Sequence, residues 1–142
     1  MSEHPIAAAY RAVYRRATES SGEIWGDRAY PDRAPSGTER PYLVYFIGAG
    51  GELNARKAED AELVLIIKGV SSSMAEAFAM AARIDALYND QGQYDTSTPL
   101  DGGAEWSILT TKRELMVHLV EQVDGQQVYH AGAQFRVRME VN

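Results

Sequence analysis

Three histidines, His4, His118 and His130, could do acid–base or metal chemistry, but none stands at a His-x-x-x-His spacing that would set two ring nitrogens on one helical face. Gly48-Ala49-Gly50-Gly51 follows an apolar run, as a phosphate-cradling loop would. Such a loop needs a helix start directly behind it to present free N–H groups, and a Walker loop also needs a Lys-Ser/Thr pair. Neither follows, so the stretch reads as a turn. Ser71-Ser72-Ser73 could hold an anion, yet Ser73-x-x-Glu76 has the spacing of a helix capping box. No serine occupies a Gly-x-Ser-x-Gly setting, and the absence of cysteine removes thiol catalysis, disulfides and cysteine-ligated metals. The carboxylates Glu59, Asp60 and Glu62 cluster in a charged stretch and read as solvated side chains, not as an acid–base pair. Residue chemistry thus points to a non-enzymatic chain with no cofactor.

The elements that carry these residues follow from periodicity. Ile6, Ala9, Tyr10, Val13, Tyr14 and Ala17 form one helical stripe behind Pro5, predicting a helix over 5–19. Residues 23–40, with Pro31, Pro35, Gly26 and Gly37, predict an irregular connection holding a short strand near 28–30. Tyr42 to Ile47 and Leu63 to Val70 are apolar on both faces and predict two antiparallel strands, the first ended by the glycines. Between them, residues 52–62 read as a solvated hairpin arm or loop, and residues 48–60 as a stretch that has little to bury by itself and is expected to be mobile. Met74, Ala77, Phe78, Ala81, Ile84, Leu87 and Tyr88 predict a second amphipathic helix, ended by Asn89, Asp90 and Gly92.

Beyond Trp106 a period of two dominates. The odd residues Tyr129, Ala131, Ala133, Phe135, Val137, Met139 and Val141 are all apolar, and Leu115, Val117, Leu119 and Val123 give the preceding strand an odd apolar face too. Asp124-Gly125 is the usual two-residue hairpin dipeptide, but such a turn sets odd residues opposite even ones. We expected the hydrophobic pattern to prevail through a longer loop or a bulge at Gly125 or Gly132. In that register His118 and His130 share a face about 7–8 Å apart, where a metal is conceivable but lacks a third ligand. The fold expected is α+β: one domain over 1–142, a mixed or mainly antiparallel sheet of four to six strands, and two helices packed on it with Phe78 and Ile84 against the odd residues of the last strand.

The chain has 142 residues, 14 Lys+Arg and 20 Asp+Glu, giving a net charge of −6. A chain of this size removes about 68–70% of its unfolded surface from water, enough for a core without staples. Its acidity argues against general nucleic-acid binding, and no apolar run is long enough to span a membrane. A cytosolic site of synthesis is expected. Val70, Met116 and Val120 lie in runs apolar on both faces, so either a helix covers each side of the sheet or apolar surface is left for association.

The segment Arg28-Ala29-Tyr30-Pro31-Asp32-Arg33-Ala34-Pro35-Ser36-Gly37-Thr38-Glu39-Arg40-Pro41-Tyr42-Leu43-Val44-Tyr45 resembles the tail-terminator and tail-completion proteins of long, non-contractile-tailed phages and prophages, the family that includes the lambda tail terminator. The order of elements matches that family over nearly the whole chain, except that residues 91–105 match no motif of it. The resemblance implies a virion protein assembled in the host cytoplasm. It would form a homohexameric ring that caps the tail tube, stops tube polymerisation and docks the head-completion or connector protein, while DNA passes without specific binding. A head-side connector or tube protein is the alternative, followed by a small ligand-binding domain or enzyme. For Arg136 and Arg138, on one face of the last strand, two readings stand: they solubilise an exposed sheet face, or they meet Glu59, Asp60 and Glu62 of the next subunit.

Overall fold

The computed structural model describes residues 3–20, 22–51 and 60–142, with side chains left aside at residues 49 and 51. Helix α1 spans Pro5–Thr18, strand β1 Ala29–Pro31, β2 Tyr42–Gly51, β3 Asp60–Ser71, helix α2 Met74–Tyr88, β4 Trp106–Val123 and β5 Gln126–Val141. The five strands form one sheet in the order β1-β2-β3-β5-β4. β1 lies parallel to β2 and every other pair is antiparallel, so the α+β expectation holds.

Both helices lie on one face of the sheet. Leu63, Leu65 and Ile67 of β3 and Phe135, Val137 and Met139 of β5 join Ala8, Ala12 and Val13 of α1 and Met80, Ile84 and Tyr88 of α2 in a single core. The alanines of α1 let its backbone approach the sheet closely. At its start His4 Nδ1 accepts from the Ile6 N–H at 3.1 Å, and near its end the buried Trp25 ring donates Nε1–H to the Ala17 carbonyl at 3.0 Å. α2 seats Met80 over Gly69, where an added Cβ would come within 2.7 Å of the methionine side chain. The capping box is half formed: Ser73 Oγ accepts from the Glu76 N–H, while the Glu76 carboxylate accepts from Ser71 Oγ instead of reaching the Ser73 N–H.

Several expectations are corrected. The glycines do not end β2; the ladder continues to Gly51 past an irregularity between Ile47 and Ala49. Asp60 and Glu62 belong to β3, and residues 52–59, including Glu59 and most of the expected mobile arm, lie outside the described residues. Phe78 is 47% exposed and stacks near His118 at 5.3 Å between ring centroids, so the core contact falls to Ile84 and to Tyr88, which meets Phe135.

The largest correction is at the hairpin. Asp124 and Gly125 take φ of 51° and 79°, and Val123 pairs with Gln126, which is the two-residue turn. β4 recovers its register through two irregularities, between Ile108 and Thr110 and between Arg113 and Leu115. His118 then pairs with Ala131 and Leu119 with His130, which puts the two histidines on opposite faces of the sheet.

Residues 91–105 are held by cations from elsewhere. Arg11 Nη2 donates to the Gly102 carbonyl at 2.9 Å, Arg16 to the carbonyls of Leu87 at 2.9 Å and Thr98 at 3.0 Å, and Lys112 Nζ to Asp95 at 2.8 Å. Leu100 inserts into the core from this segment.

Gly132 lies where β3 and β5 run closest: a Cβ there would sit 2.0 Å from the Ile67 carbonyl oxygen and 2.6 Å from the Lys68 Cα. Backbone cannot move aside as a side-chain tip can. Gly132→Ala is expected to cost about 3 kcal/mol of unfolding free energy, whereas Gly125→Ala, with nothing within 4 Å, should cost only the left-handed backbone penalty of about 1 kcal/mol. Urea denaturation of the two variants checks the contrast.

Candidate functional site

Among the described residues no group of three or more His, Asp or Glu side chains could hold a metal. With His118 and His130 on opposite faces, the sheet does not bring together the pair that a shared metal would need. What the sheet offers instead is surface: one face without helices, and one long edge.

The helix-free face is built from the even positions of β2 and β3 with their partners on β5. Phe46, Val64 and Ile66 are half-buried there, and the Lys68 ammonium stands 5.9 Å from the Phe46 ring centroid. Burial lowers the Lys68 pKa from its ordinary value, opposed by the nearby Glu121 charge. A small apolar cluster of Val44, Val70 and Val128, with Tyr42, Ala34 and Val123 packed on it, closes one end.

At the other end stands the expected interface group. Arg136 is committed within the chain: its Nη1 donates to Glu62 at 2.6 Å and its Nε to Glu114 at 2.7 Å, tying β3, β5 and β4 across the face. The hydrogen bonds from Arg136 first, and then from Gln134, hold the Glu114 carboxyl below its usual range. Glu114 was absent from the sequence reading because only the β4 irregularity turns it to this face. Asp60 is half-buried and Arg138 exposed; among the described residues Arg138 makes no ion pair, and the two border a shallow groove with Tyr94 and Glu140.

His130 is the buried titratable group of this face. Its Nε2 lies 2.7 Å from Glu121 Oε1, and its Nδ1 has no hydrogen-bond partner among the described residues. Glu121 accepts, so Nε2 carries the proton and the bare Nδ1 remains in the interior. Protonation would place an N–H where no described residue accepts it; burial lowers the His130 pKa, against the opposing pull of Glu121.

The edge of the sheet is β4. Its first half is covered by the segment after α2: Asp90, Gln93 and Tyr94 donate backbone N–H groups to the carbonyls of Thr111, Ile108 and Leu109 at 2.8–3.0 Å, and Asn89 Oδ1 accepts from the Arg113 N–H at 2.8 Å. From residue 114 to 123 no backbone of the described residues pairs with the outer edge. Leu115, Met116, Leu119 and Val120 are 59%, 81%, 47% and 44% exposed there. Between this edge and α2 runs a groove of about 550 Å³, lined by Phe78, Ala81, Met116, His118, Ala131 and Ala133. Its signal in the sequence was the run apolar on both faces; which side would stay bare was not readable.

The lowered His130 pKa sets the sign of one pH effect. The unfolded chain takes up the histidine proton first, so stability is full above the unfolded value of about 6.5 and falls as pH drops towards the lower folded value. His130→Gln should flatten the decline of Tm between pH 7 and pH 5; equal slopes in the two proteins would contradict this.

No known family model matches the chain, and no curated protein matches it. Among solved structures it is similar to a chain of the virion of native gene transfer agent (GTA) particle, with a TM-score of 0.59 at 19% identity over 94% of this chain and 92% of that one. At this identity the likeness is one of fold, over nearly the whole chain.

Proposed function

We propose that the chain is a structural, non-enzymatic subunit of a phage-like virion: a homohexameric ring that caps the tail tube, halts its polymerisation and presents a docking face to the head-completion or connector protein. The observation that carries this reading is the end-to-end fold likeness to a chain of a gene transfer agent virion, 94% of this chain against 92% of that one. The tail-terminator resemblance of residues 28–45 is independent of it and points the same way. The acidic balance of −6 suits a conduit that DNA traverses without sticking, and the exposed edge of β4 supplies apolar surface for association. Asp60, Arg138 and the arm carrying Glu59 remain our proposed polar contacts between neighbours, with Arg136 and Glu62 already paired inside each subunit.

Light scattering on the purified chain should give a discrete species of six 15.7 kDa subunits, and negative-stain images should show rings. Open-ended tubes would make it a tube protein, and a monomer at every concentration would remove the ring. Arg138→Glu should leave the melting transition unchanged and shift rings towards monomers, because Arg138 makes no ion pair among the described residues. Arg136→Glu should lower the transition as well, since Glu62 and Glu114 would then face a third carboxylate. Rings unaffected by Arg138→Glu would leave that residue a merely solubilising role.

A further inference from the structure

We infer that the open edge of β4, residues 114–123, together with the adjoining α2 groove, is where a second copy of this chain docks head to tail. The inference rests on the ring reading and names its contact surface.

The exposed large apolar side chains fall mainly on two flanks of the molecule. On one, Met116 and Val120 of β4, on the helix side of the strand, join Met74 and Phe78 of α2, while Leu115 and Leu119 of the same edge face the helix-free side, with exposures from 44% to 81%. Met116, Val120, Met74 and Phe78 leave on the order of 400 Å² of apolar surface in water on the helix side, about half of the roughly 800 Å² that each partner buries in a standard interface, and Leu115 and Leu119 add to it across the strand. On the other flank, Tyr14 of α1 and Ile24 beyond its end are 45% and 37% exposed, on the side where α1 packs over β1 and β2.

Charge fits an apolar occupant. Residues 115–120 contain no charged residue, and those bordering them are satisfied in the chain: Arg113 by Asp85 at 2.8 Å, Glu114 by Arg136 and Glu121 by His130. Arg113 and Glu114 thus bring no unpaired charge to this edge, and Glu121 has the neutral His130 imidazole as its hydrogen-bond partner. Edge strands in soluble proteins are ordinarily blunted by lysine, proline or short length; this one has ten open residues and none of those devices in its centre. The opposite sheet edge cannot offer an equivalent strand, because β1 has three residues and ends at Pro31, which has no N–H to donate. Two unlike apolar flanks on opposite sides of one subunit are what a heterologous, ring-closing contact requires.

Three proteins test this: the wild type, the double variant Met116→Asp with Val120→Asp, and cysteine variants, for which the natural chain is a clean background. Light scattering and melting curves are read on the first two. We expect the double variant to melt as the wild type does and to need about tenfold or more protein to associate. A wild-type ring that the double variant also forms overturns the edge while leaving the ring reading intact; a monomeric wild type overturns both. A wild-type dimer that the double variant dissolves keeps the edge and removes the ring. Ile24→Cys with Val120→Cys, treated with a short bis-maleimide, should give a covalent ladder of subunits, and Val120→Cys alone should give none. A dimer from Val120→Cys alone would overturn the head-to-tail geometry in favour of a two-fold contact. A double-aspartate variant that forms normal rings but no longer binds tail tubes would identify a tube subunit as the occupant and overturn the second copy.

Discussion

The turn at Asp124-Gly125 sets β4 out of phase with β5, and much of the molecule is arranged around that mismatch. A two-residue turn of left-handed residues matches the twist of the two strands it joins, so its geometry is favoured locally. Its consequence is that even residues of β4 oppose odd residues of β5. Carried on without interruption, that register would place Thr110, Lys112 and Glu114 under α2. The two irregularities in β4 prevent this by exchanging faces and exchanging them back. Between them Thr111 turns inward, where its hydroxyl donates to the Tyr88 carbonyl at 2.5 Å and accepts from the Gln91 N–H at 2.8 Å, while Lys112 turns out to Asp90 and Asp95. Glu114 is delivered to Arg136 by the same device. Beyond the second irregularity, Met116, His118 and Val120 face the helix side past the stretch that α2 covers closely. The bare edge and the Thr111 anchor are thus two results of one conflict between turn and pattern.

A second constraint is the long connection from α2 to β4, which has few apolar residues of its own. It keeps its shape because side chains from α1 and β4 satisfy its backbone. Arginine suits this work, since its donors are spread in a fixed plane and can serve several carbonyls at once. Arg16 does so for Leu87 and Thr98 while also reaching Gln91 Oε1 at 2.9 Å. Arg83 and Glu23 form a comparable two-point pair at 2.7 and 2.8 Å, with the Glu23 side chain almost wholly buried, tying the loop after α1 to α2. Both helices are therefore fastened to irregular segments as firmly as to the sheet.

The helices, the short first strand, the β2–β3 pair and the odd apolar face of β5 were legible in the sequence because each expresses a local period or cap. Phe135 and Val137 are buried as the alternation of β5 requires. The β4 register was not legible: alternation and turn chemistry disagreed, and two irregularities in one strand satisfied both, an answer that neither signal contains alone. The face reached by Glu114 and the separation of His118 from His130 follow from that register, which is why they were missed. The in-chain pairing of Arg136 with Glu62 was missed for another reason. Two residues 74 positions apart meet only once the strand order is known, and the same two side chains can be read equally well as contacts between subunits.

That internal pairing bears on how copies of such a subunit can attract one another. Arg11, Arg15, Arg16, Arg83, Lys112, Arg113 and Arg136 each have a carboxylate within the chain. Carboxylates outnumber Lys and Arg by six, so the net field between like subunits is negative even with Arg138 unpaired among the described residues. Around a closed ring of identical subunits this surplus repels at every interface, and salt weakens the repulsion within a distance of about 8 Å at physiological ionic strength. Attraction must then come from a term that salt does not screen, which is the removal of apolar surface from water. In such a ring, charge keeps the free subunit soluble and keeps DNA from adhering to the wall. In the proposed ring, cohesion would rest mainly on the apolar side chains that the β4 register leaves uncovered, with Asp60 and Arg138 as the proposed polar contacts beside them.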